Sequence, residues 1–95
     1  MNRAKKILGL FEEENIVQDL IQRGYRMSDT NFWGDRISGV RFYTKTFRTE
    51  DEAREAWERF NPYLYSNKIV SSETMRPQKR HPELKWTHEV GVKNG

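Results

Sequence analysis

The chain has 95 residues, 17 of them Lys or Arg against 14 Asp or Glu, for a net charge of +3, and it contains no cysteine. The lack of cysteine excludes a disulfide scaffold, a thiol nucleophile and a Cys-ligated zinc site, while the mild basic excess permits contact with nucleic acid without demanding it. The length suits one domain with one core, and three Trp, four Tyr and five Phe supply burial that an aliphatic-poor sequence otherwise lacks.

Residues 2–14 read in two ways. With Ala4, Ile7, Leu8 and Phe11 on one face they form an amphipathic helical turn or two; taken as a block, residues 6–11 form a first strand. Residues 15–23 are a firmer helix: Asn15 caps it, Gln18 completes the box, and Ile16, Val17, Leu20 and Ile21 make the buried stripe. Gly24 is placed to end it in a left-handed turn. From residue 25 to 47 the pattern is a β-hairpin. Its tip carries Phe32 and Trp33 between the turn formers Asp29-Thr30-Asn31 and Gly34-Asp35. Its second strand, over residues 37–47, is rich in β-branched and aromatic side chains.

Thr49 and Glu52 form a capping box, and Glu50 and Asp51 add negative charge at the positive end of the helix dipole. Ala53, Ala56, Trp57 and Phe60 then fall on one helical stripe that Asn61-Pro62 ends. Residues 68–75 are a further strand, and residues 76–82 a basic loop bounded by two prolines. In the last strand Leu84, Trp86, His88, Val90 and Val92 alternate with polar or small residues, which predicts one buried face and a solvent-facing edge strand.

The side chains offer binding surfaces more than chemistry. Phe32 and Trp33 are candidate anchors, because rings bury large area with few rotamers to freeze, unless the loop folds back over the core. Arg76, Lys79, Arg80 and Lys85, with His81 among them, form a basic set that contacts a partner or phosphates, or stays solvated. Arg41, Phe42, Tyr43 and Lys45 give the central strand a mixed basic and aromatic character suited to nucleic acid. If the helices cover Tyr43 and Phe47 instead, those rings are core and Lys45 snorkels to the edge. His88 reads as a satisfied strand residue. No metal-ligand spacing and no Gly-rich phosphate loop occur, so no metal, cofactor or enzyme activity is expected. No apolar run approaches the roughly 20 residues that span a bilayer, and no membrane partner is expected.

Two resemblances follow from these residues. The strand-to-helix junction within residues 40–61, with Phe47, Ala53 and the run Thr49-Glu50-Asp51-Glu52, resembles that of an RNA-recognition motif. In that resemblance Phe42 takes one stacking position, while Thr44 and Leu8 stand where the other two rings belong. A first strand at residues 6–11 would give the ferredoxin-like order of that family. The N-terminal segment ending in Leu10-Phe11-Glu12 resembles the leaders of small head proteins of large tailed bacteriophages, which a prohead protease cuts after such a glutamate. This implies a leader over residues 1–12 and a domain over residues 13–95.

The expected fold is α+β: an antiparallel sheet of about four strands with two helices on one face, ferredoxin-like or αββαββ. The expected function is a small non-enzymatic binding protein of phage type that engages a host protein as an inhibitor, as monomer or homodimer, in the host cytoplasm or the phage particle. Its contact residues are Phe32, Trp33, Arg76, Lys79, Arg80 and Lys85. The alternative is a nucleic-acid-binding module using Arg41, Phe42, Tyr43 and Lys45.

Overall fold

The structure, a computed structural model, describes residues 12–77 and 86–93. Helix α1 (Glu12–Gln22) leads into strands β1 (Arg26–Ser28) and β2 (Val40–Phe47), then helix α2 (Glu50–Phe60), a short helix α3 (Pro62–Tyr65), and strands β3 (Ser71–Met75) and β4 (Trp86–Lys93). The four strands form one antiparallel sheet in the order β1-β2-β4-β3. This is the expected α+β architecture, and both long helices contribute to a core on one face of the sheet. The reading of residues 1–11, including Leu10-Phe11, lies outside the described residues.

Local chemistry sets the boundaries of these elements. Helix α1 starts earlier than expected, so Asn15 lies within it and not at its cap. It stops where expected: Gly24 has φ +91°, Tyr25 N donates to Leu20 O at 3.0 Å and Gly24 N to Ile21 O at 3.0 Å. This double closure with a Leu20–Tyr25 apolar contact is the Schellman arrangement, in which glycine relieves the steric cost of the left-handed residue. Before α2, Thr49 Oγ1 accepts from Glu52 N at 3.2 Å and donates to the Glu52 carboxylate at 3.1 Å. Thr49→Ala is therefore expected to lower stability by about 1 kcal/mol, with Thr49→Ser close to wild type in urea denaturation; equal midpoints for all three would remove the cap from this account. Pro62 ends α2 less sharply than expected, because the chain turns directly into α3.

The core sits between the helices and the sheet. Ile16 and Leu20 of α1, Tyr25, Phe60 of α2, Ile69, Tyr43 of β2, and Val90 and Val92 of β4 are buried together, with Val17, Tyr63 and Leu64 packed against them. Of the expected α1 stripe, Ile21 is exposed. Trp57 is half-buried and ties α2 to the sheet, its Nε1 donating to Ser72 O at 3.1 Å. No helix of the described residues is long and apolar enough to cross a membrane.

Strand β4 corrects the edge-strand expectation. It lies between β2 and β3, and both of its faces are buried over residues 87–92. The edges of the described sheet are β1 and β3. Gly91 shows how closely its second face is packed: a Cβ there would collide with Ser71 Oγ and press on Phe42 and Val70, each at 3.2 Å. Glycine in a strand interior marks this kind of close approach.

Candidate functional site

The hairpin between β1 and β2 is longer than its strands and internally braced. Thr30 N donates to Ser28 Oγ at 3.2 Å, and Thr30 bridges to Arg36 across the loop. Asn31 closes the tip three times over: its carbonyl accepts from Gly34 N, and its Oδ1 accepts from Trp33 N and Asp35 N, all at 2.9 Å. Asn suits this place because its short amide can replace backbone acceptors in a turn. Gly34, at φ +84°, supplies the left-handed residue. A second turn, Val40 N to Ile37 O at 3.1 Å with Gly39 at φ +76°, occupies residues expected to begin the strand.

This frame holds Phe32 and Trp33 edge to face, 5.1 Å between ring centroids at 87°. Phe32 is half-buried and turned into a cleft, whereas Trp33 is 68% exposed. The cleft lies on the sheet face opposite the helices and has a volume of about 340 Å³. The hairpin contributes Ser28, Thr30, Asn31 and Phe32 to it; β2 contributes Thr44 and Thr46, β4 Thr87 and Glu89, and the segment after β3 Arg76 and Pro77. Strand periodicity explains the hydroxyls: Thr44 and Thr46 alternate with the core-facing Tyr43 and Lys45, and Thr87 and Glu89 with His88 and Val90.

Glu89 is 4% exposed, and its Oε2 has no hydrogen-bond partner. Its register partners are Thr44 on β2 and Glu73 on β3. Burial raises its carboxyl above the usual carboxylate range, the backbone N–H of Phe32 acts against that rise, and the Glu73 carboxylate adds to it. No ion pair reaches Glu89 or Glu73 among the described residues.

Of the expected contact residues, Phe32 and Arg76 line one cleft, and Trp33 packs against the Phe32 ring. Arg76 is exposed at the cleft, and Lys79, Arg80 and Lys85 lie outside the described residues. The four residues of the nucleic-acid alternative do not form one surface. Phe42 is 2% and Tyr43 4% exposed, on opposite sides of the sheet, so neither ring is open for stacking. Arg41 is exposed, with Nη1 3.7 Å from Met27 Sδ. Lys45 Nζ donates to Arg23 O and lies 5.3 Å over the Phe47 ring, so it has snorkelled along the core.

A second polar cluster lies in the core. His88 is held between Tyr25 Oη, 2.7 Å from Nδ1, and Ser72 Oγ, 2.8 Å from Nε2. A serine beside an imidazole has the composition of a nucleophile and base, but these groups are enclosed and a tyrosine, not a carboxylate, faces Nδ1. The arrangement satisfies a buried histidine. Among the described residues no group of His, Asp and Glu is placed to hold a metal ion.

Sequence reasoning missed Glu89 and the threonines of the cleft, because polar residues alternating with apolar ones read as a solvated face. The available signal was Gly91, whose missing side chain implies that something covers that face. No family model, curated protein or solved structure matches the chain.

Proposed function

We propose that this chain is a small non-enzymatic binding protein, of the accessory or internal kind carried by large tailed bacteriophages, that engages a host protein through its hairpin tip and inhibits it by occupying a surface. The observation that carries the reading is Trp33, 68% exposed on a turn that the Asn31 carbonyl and side chain brace with three hydrogen bonds. An exposed ring on a braced turn has little conformational entropy left to lose on binding, which is the character of an interface anchor. Arg76, at the cleft that Phe32 lines, adds a positive group that steers an acidic partner. The phage assignment is supported by the leader-like pattern, whose final glutamate, Glu12, is also the first residue of α1. In this reading the protein works in the host cytoplasm or travels in the particle.

Partner capture from bacterial lysate, compared between wild type and Phe32→Ala/Trp33→Ala, tests the tip. The double variant is expected to weaken capture by at least about thirtyfold, as loss of an anchor of roughly 2 kcal/mol or more requires. Trp33→Ala alone should change stability by less than about 0.5 kcal/mol, because its side chain is exposed. Undiminished capture by a folded double variant would move the contact surface elsewhere.

A further inference from the structure

The cleft behind the hairpin has features that a partner for Trp33 does not explain. Glu89 is buried with one oxygen unpartnered, and Glu73 stands directly across from it on β3, an arrangement of like charges that destabilises a strand pair. A buried carboxylate with one oxygen unpartnered is costly to retain, and a cation that enters its site offsets both the lost hydration and the repulsion. The rest of the cleft is lined by hydrogen-bond acceptors, one ring, Pro77 and the exposed Arg76, whose guanidinium makes no ion pair with Glu89 among the described residues. The hydroxyls of Thr30, Thr44 and Thr46 can each accept, and Phe32 forms a wall.

We infer that this cleft is a binding site for a guanidinium group, with the Glu89 carboxylate as its counter-ion and the threonine hydroxyls as further acceptors. A guanidinium fits better than an ammonium. It is planar, carries five N–H donors in a fixed fork and is weakly hydrated, so it can bond the carboxylate and the hydroxyls together while stacking on an aromatic face. A volume of about 340 Å³ admits an alkylguanidinium with part of its chain. The group comes either from a free small molecule or from an arginine side chain of a protein. The inference goes beyond the tip reading and does not depend on it.

The test is an amide-shift NMR titration of the full chain with methylguanidinium chloride, against potassium chloride and methylammonium chloride at matched ionic strength. Saturable shifts are expected at the amides of Phe32, Thr44, Thr46 and Thr87 with methylguanidinium, weaker ones with methylammonium, and none with the potassium salt. Glu89→Gln should weaken binding about tenfold or more, the consequence of losing a charge-assisted bond. Since a change at a buried residue can disturb folding, Thr46→Leu is the second variant: it narrows the cleft from an exposed position, keeps the carboxyl, and should weaken binding as well. A capped Gly-Arg-Gly peptide that binds more tightly than methylguanidinium identifies a protein side chain as the source, whereas agmatine binding more tightly than the peptide identifies a small molecule. Ile21→Ala, at an exposed position of α1 on the other side of the sheet, should leave methylguanidinium binding unchanged. No saturable shift beyond the potassium control, or shifts undiminished in a folded Glu89→Gln and in Thr46→Leu, overturns the inference.

Discussion

Phe60→Ala is expected to lower stability by about 3–5 kcal/mol, the range for removing a fully enclosed aromatic ring. Phe60 is 0% exposed at the end of α2. Its ring meets Tyr25 edge-on at 5.8 Å, Tyr63 at 6.2 Å and the His88 imidazole at 6.1 Å, so truncation opens a cavity at the junction of both helices and the sheet. For a chain of this size total stability is about 5–14 kcal/mol, and the variant would populate unfolded molecules at room temperature if the chain lies near the lower end. Urea denaturation followed by tryptophan fluorescence measures the change as a shifted midpoint at unchanged slope. Ile21→Ala is the matched control, because Ile21 sits on the apolar-looking stripe of α1 yet is exposed, and a change below about 0.5 kcal/mol is expected there. Similar losses for the two variants would show that the core is not centred where the rings meet.

The contrast between Phe60 and Ile21 shows what the amino-acid pattern reveals and what it leaves open. Features decided within a few residues were legible: the Thr49 cap, the Gly24 stop, the Asn31–Gly34 tip and the core-facing stripe of Val90 and Val92. Each depends on a local bond or on side-chain direction, which the chain carries in its own order. What needed the strand register was not legible. Glu89 and Thr87 looked solvent-facing until pairing placed β4 in the middle of the sheet, and Phe42 looked available for stacking until Gly91 was found opposite it. The strand expected from residue 37 begins at Val40 because Gly39 turns the chain first. Helix α1 extends past Asn15, since a residue able to cap does so only where the helix has no earlier start. The guanidinium cleft combines both kinds of information: threonine alternation visible in the chain, and a carboxyl whose burial only the pairing discloses.

Acidification should destabilise this fold through His88 by about 3 kcal/mol between pH 7 and pH 4. Burial lowers the His88 pKa to about 4, against about 6.5 for an exposed imidazole. Between those values the unfolded chain holds a proton that the folded chain excludes. The His88 contribution is therefore complete above about pH 6.5 and is lost as pH falls through about 4. The geometry supports the neutral form. Each ring nitrogen already has a hydroxyl partner, Tyr25 stays protonated because burial raises its pKa, and Lys45, the register partner on β2, carries its ammonium away to the Arg23 carbonyl. Glu89 acts in the opposite direction. Its raised pKa means the folded state takes up the proton first, so acidification through that window adds stability and masks part of the histidine loss. The measurement is the urea midpoint at several pH values for wild type, His88→Gln and Glu89→Gln. A glutamine at position 88 can still donate and accept between Tyr25 and Ser72 but does not titrate, so its profile should flatten between pH 6.5 and 4, while Glu89→Gln should be steeper than wild type. Comparison with wild type cancels the other titrating groups, and parallel profiles for wild type and His88→Gln would mean that the buried imidazole is not what makes the fold acid-sensitive.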